Sequence, residues 1–66
     1  MQIVLNGGFV ETAPGGTVAA LLVQLGISRE RVAVELNADI VPKADYEKRL
    51  LSNGDKIEIV HFVGGG

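Results

Sequence analysis

The terminal run Val63-Gly64-Gly65-Gly66 offers one group with chemistry of its own, the carboxylate of Gly66. Glycine is costly to order and has no side chain to pack, so three in a row suit a terminus that must enter a narrow space. Fully extended, they reach about 10 Å at ~3.3–3.6 Å each. Gly64 and Gly65 are therefore read as threading residues that carry Gly66 into another protein's active site. A carboxylate is inert toward nucleophiles until it is activated, most simply as an acyl-adenylate made with ATP by a partner enzyme. An incoming sulfur or amine then displaces the nucleotide. Glycine suits the step because no Cβ obstructs attack on its carbonyl.

Other reactive side chains lack partners. His61 is the single histidine, and it falls in a strand pattern beside Phe62. Metal binding needs several convergent ligands, and acid–base catalysis needs a positioned partner. Asp39, Asp45, Glu47 and Asp55 sit in turn and surface patterns. Gly7-Gly8 and Gly15-Gly16 lack the length and the Gly-Lys-Ser/Thr ending of a phosphate loop, so they are read as turns. With no cysteine there is no disulfide, thiol nucleophile or thiolate ligand. Any sulfur handled by this chain must ride on another atom, and the chain is expected to bind no cofactor or metal itself.

The 66 residues fit one domain that buries about 60% of the surface its unfolded chain exposes, which argues against an enclosed catalytic cleft. A 47% hydrophobic share with three aromatics, Phe9, Tyr46 and Phe62, fits a packed aliphatic core. The net charge of −2 and the scattered basic residues exclude the footprint of nucleic-acid binding. No apolar run approaches the roughly 20 residues of a membrane span, and the start lacks a charged leader region. A cytoplasmic protein, monomeric when free, is expected.

The elements that must hold the tail follow from local signals. Met1, Ile3 and Leu5 alternate with Gln2 and Val4, and Asn6-Gly7 turns the chain into a returning strand, Phe9 to Ala13. Thr17 is placed to cap a helix over Val18 to Leu25, with Val18, Leu21, Leu22 and Leu25 on one face and Gly26 as its left-handed stop. Val32 to Leu36 alternates as a third strand. Ile40-Val41 is a short edge piece halted by Pro42. Lys43 to Leu51 has weak periodicity, with one irregular helical turn around Asp45-Tyr46-Glu47. Ser52-Asn53-Gly54-Asp55 turns into a last strand from Lys56 to Phe62. The apolar first and last strands are best placed side by side and parallel, joined by a right-handed crossover that contains the helix. This is an α+β architecture, a β-grasp with a mixed sheet of four to five strands and one main helix on one face. Residues 1–63 form the domain, and 64–66 are expected to be a flexible tail.

On the last strand Ile57 and Ile59 share one face, and Glu58, Val60 and Phe62 share the other. If the helix covers the isoleucines, Val60 and Phe62, with Val4 of the neighbouring strand, form an apolar docking patch beside the tail. The competing expectation is that the segment after Pro42 covers them as core.

The ordered set Met1-Gln2-Ile3, Asn6-Gly7, Thr17-Val18, Leu21-Leu22, Asn37, Ile40-Val41-Pro42, Asn53-Gly54-Asp55, Ile57-Glu58-Ile59 and Val63-Gly64-Gly65-Gly66 resembles the ThiS family. These are ubiquitin-like sulfur carrier proteins of thiamine biosynthesis, and the resemblance covers essentially the whole chain. It implies that Gly66 is adenylated by a ThiF-type enzyme and converted to a thiocarboxylate. Sulfur would come from a donor such as a cysteine desulfurase and pass to the thiazole synthase ThiG. Tyr46 departs from the tryptophan common in relatives, a matter of packing more than of chemistry. The small sulfur-carrying subunit of molybdopterin synthase shares the chemistry but usually has a longer chain and prolines before its glycines. A protein modifier would join Gly66 to lysines, and an interaction module would use a sheet face with the tail idle.

Overall fold

The computed structural model describes residues 1–63. Its elements run β1 (Gln2–Leu5), β2 (Gly8–Glu11), α1 (Val18–Leu25), β3 (Val32–Leu36), β4 (Asp39–Val41) and β5 (Lys56–His61), with single 3₁₀ turns at Arg29–Arg31 and Lys43–Asp45. The five strands form one mixed sheet in the order β2-β1-β5-β3-β4. β1 and β5 are parallel neighbours at its centre, as the pattern of apolar strands requires, and the other pairings are antiparallel.

Local chemistry sets the element ends. The Thr17 hydroxyl accepts from the Ala20 N–H at 3.1 Å, and Gly26 takes the left-handed conformation at φ 70° that a side chain would resist. The Ile27 N–H then reaches back to the Leu22 carbonyl at 2.9 Å, closing the helix end. Asn6 and Gly7 both have positive φ, the turn that matches the twist of β1 and β2. Asn37 and Ala38 make the same kind of turn between β3 and β4, with Ala38 at φ 73°.

The core lies between the sheet and α1. Ile3, Val32, Val34, Leu36, Val41, Ile57 and Ile59 meet Val18, Leu21 and Leu22, and Tyr46 and Leu51 complete the cluster. The segment after Pro42 closes over the helix side. The Tyr46 carbonyl accepts from the Ala19 N–H at 2.8 Å, and the Leu51 N–H donates to the Gly16 carbonyl at 2.9 Å. Its helical turn lies slightly earlier than the expected Asp45–Glu47, because Pro42 at φ −60° starts it at Lys43. The second strand also sits earlier than expected, ending at Glu11, although the Thr12 N–H still bonds the Met1 carbonyl. The expected glycine tail, 64–66, lies outside the described residues.

Candidate functional site

The alternation of β5 sorts its side chains between two environments. Ile57 and Ile59 are buried under α1, whereas Val60 is 56% and Phe62 60% exposed on the face that no helix covers. The expectation that the segment after Pro42 buries Val60 and Phe62 is not met. Tyr46 and Leu51 pack that segment into the core with α1 instead. An apolar strand end therefore stands open immediately before Val63, itself 98% exposed.

Phe62 is oriented while it remains exposed. Its N–H donates to the Arg31 carbonyl at 2.9 Å, extending the β5–β3 pairing past the last strand residue. Lys43 Nζ stands 5.5 Å from the ring centroid and donates to the Glu30 carbonyl at 3.3 Å. A cation at this distance is attracted to the face of the ring. Nothing in the local pattern around Lys43 marks this role, because Glu30 and Phe62 reach it only through the fold.

Val4 is half-buried and pairs with Phe9 of β2 and Lys56 of β5, so it shares the open face but stands four residues along β5 from Val60. Between them the face turns acidic. Glu58 is directly opposite Glu35, which in turn faces Ile40 of β4, 74% exposed. A shallow depression lined by Glu35, Asn37, Ala38, Gly54, Lys56 and Glu58 lies at this end. Like charges directly opposite each other are destabilising in a sheet.

Asn6 is a second residue whose part the sequence concealed. Beyond its turn conformation, its Oδ1 accepts from the Ile59 N–H at 2.8 Å and its Nδ2 donates to the Ile59 carbonyl at 3.2 Å. The carboxamide thereby stands in for one residue of β1 along β5. His61 is exposed at the end of β5, opposite Val32. Among the described residues no group of three or more His, Cys, Asp or Glu side chains could hold a metal ion, and no helix is long and apolar enough to cross a membrane. Gly64, Gly65 and Gly66, the expected threading and attachment residues, lie outside the described residues.

A mixed sheet with parallel central strands, one helix on one face and an open apolar strand end on the other defines a ubiquitin-like β-grasp protein. The family model described as ThiS family matches residues 3–66, and the chain belongs to that family. A crystal structure of the thiamine biosynthesis protein ThiS from Geobacter metallireducens superposes with a TM-score of 0.86 at 30% identity, with all of both chains covered. The sulfur carrier protein ThiS of Escherichia coli is 33% identical over the full length of both chains. A thiazole synthase of Paramagnetospirillum magneticum is 47% identical over all of this chain, which spans only 20% of that protein's length.

Proposed function

We propose that this chain is a sulfur carrier of thiamine biosynthesis, acted on by other enzymes and not itself a catalyst. In this reading a carboxylate oxygen of Gly66 attacks the α-phosphorus of ATP in a ThiF-type enzyme, and pyrophosphate leaves. A donor such as a cysteine desulfurase provides the sulfur as a persulfide. A thiol reductant cleaves its S–S bond to release hydrosulfide and is itself oxidised to a disulfide, and the hydrosulfide then attacks the acyl carbon. The carbon–sulfur bond forms as the bond to AMP breaks, leaving a thiocarboxylate. Gly64 and Gly65 thread the tail, and ThiG takes the sulfur for the thiazole ring. The steps belong to the cytoplasm, where ATP is at hand.

The observation that carries the reading is the family match from residue 3 through residue 66, which includes the glycine ending. The open strand end at Val60 and Phe62 supports it, because a partner that draws in the tail must also meet the surface beside it. The likeness to a thiazole synthase supports ThiG as the consumer of the sulfur.

Intact mass after incubation with ATP, sulfide and a ThiF-type enzyme tests the proposal. The expected product has one terminal oxygen replaced by sulfur, and a variant with a residue appended after Gly66 stays unmodified. Adducts on lysines would establish a modifier instead. An unchanged mass, with an enzyme active on its own carrier, would overturn the reading.

A further inference from the structure

The hydrogen-bonding ladder along β5 is complete on one side and stops early on the other. β3 pairs with β5 from Leu36↔Ile57 to Val32↔His61, and the Phe62 N–H adds one more bond to Arg31. On the opposite side β1 meets β5 only at Val4↔Lys56 and Leu5↔Ile57. The Asn6 N–H then bonds the Ile57 carbonyl at 2.9 Å, and the Asn6 carboxamide serves both main-chain groups of Ile59. There the ladder ends, because the Asn6-Gly7 turn leads the chain away into β2.

Successive residues of a strand aim their main-chain groups to alternate sides. The Phe62 amide points at β3, so the N–H and carbonyl of His61 point the other way, in line with those of Ile57 and Ile59. Among the described residues no hydrogen bond to either group of His61 is made on that side. Natural sheets usually cover or blunt such an edge. Here it lies exposed between the Asn6 carboxamide and the start of the glycine run, flanked on the open face by the exposed side chains of Val60 and Phe62.

We propose that this edge is a strand-acceptor site, at which an extended main-chain segment of a thiazole synthase pairs with His61 and continues the ladder that Asn6 terminates. The inference rests on the carrier reading above. Two observations select the occupant. In the P. magneticum relative a module like this one is part of a thiazole synthase, which places synthase chain within covalent reach of the same sheet. The edge also opens at the root of the residues the synthase must receive, so one added strand would bind the carrier and align its tail. Main-chain bonds would supply the pairing, and alternate side chains of the added strand would pack beside Val60 and Phe62.

Amide exchange of the isotopically labelled protein, with and without an unfused ThiG-type thiazole synthase, is the primary test. In the free chain the His61 amide is expected to exchange rapidly, and in the complex to slow by about tenfold or more, while the β3-bonded Val60 amide changes little. The substitution His61→Pro deletes the donor at a position whose N–H faces out of the sheet, where proline is tolerated. It should weaken synthase binding about five- to tenfold, and His61→Ala should not, since the side chain takes no part. If His61→Pro fails to fold, the exchange measurement on the unaltered chain decides.

A complex with His61 unprotected would overturn the proposal, and so would protection with unchanged His61→Pro affinity, which is burial without pairing. Either result leaves the carrier reading intact if the mass experiment succeeds. Protection that grows with carrier concentration alone would assign the edge to a second copy of this chain and overturn it too. No complex at all would overturn both this site and the synthase as partner.

Discussion

The carboxamide of Asn6 holds both main-chain groups of Ile59, 53 positions away in the chain, at 2.8 and 3.2 Å. The same residue supplies the positive φ, 46°, that the β1–β2 turn requires. Two substitutions separate these duties. Asn6→Gly keeps the turn and deletes both bonds, each worth about 0.5–1.5 kcal/mol net. Asn6→Ala deletes the bonds and adds a left-handed strain of about 1–2 kcal/mol. Urea denaturation should therefore rank wild type above Asn6→Gly and Asn6→Gly above Asn6→Ala. Equal midpoints for wild type and Asn6→Gly would show that the carboxamide contributes nothing.

Ala38 presents the reverse case. It occupies φ 73° with a Cβ, in a turn where glycine is at ease. Relief of the strain, at about 1–2 kcal/mol, outweighs the extra freedom glycine gives the unfolded chain, about 0.4–1 kcal/mol. Ala38→Gly should raise the thermal midpoint slightly. A lower midpoint would mean that the turn accommodates alanine without strain.

At the open end of β5, stability and binding should part company. Val60→Asp and Phe62→Asp replace exposed side chains, so each should shift unfolding free energy by only about 0.5 kcal/mol. If these residues meet the adenylating enzyme at the centre of an interface, each substitution costs about 2 kcal/mol or more in affinity. Melting curves and titration calorimetry on the same samples check both parts. Full binding by both variants would move the docking surface elsewhere.

Tyr46 is 1% exposed, with the Arg29 guanidinium 5.5 Å from its ring centroid. Removing so large a buried ring typically costs about 3–5 kcal/mol, a large share of the roughly 5–15 kcal/mol that holds a domain together. Tyr46→Ala should be largely unfolded in modest denaturant, whereas Tyr46→Phe keeps the packing. Circular dichroism in a urea series distinguishes them, and a well-folded Tyr46→Ala would contradict the core assignment.

These residues also mark how far the sequence could be read. Helix Val18–Leu25 and strand Val32–Leu36 emerge with the ends expected, because Thr17, Gly26 and a strict alternation are signals written within a few residues. The parallel pairing of β1 with β5 followed from the apolar character of both strands and the crossover rule. Residues 43–51 were largely opaque, since Tyr46 and Leu51 are fixed by bonds to Ala19 and Gly16 and not by their neighbours, whereas the stop at Pro42 and the turn at Asn53-Gly54 were legible. At the candidate site, the sorting of Ile57 and Ile59 from Val60 and Phe62 was legible from period 2. Which face stayed open depended on the path of the segment after Pro42, and the second duty of Asn6 depended on β5 arriving beside it.

The sheet order has a consequence for how the fold comes into being. β1 with β2 and β3 with β4 are ribbons formed between neighbours in the chain, and neither pairs with the other. Only β5 joins them, and a two-stranded ribbon by itself is marginal in water. The sheet is therefore continuous only once the last strand lies between the two ribbons. Whatever recognises the end of β5 meets it only in a molecule whose assembly is finished, so the strand that leads to the glycines also reports on the integrity of everything behind them.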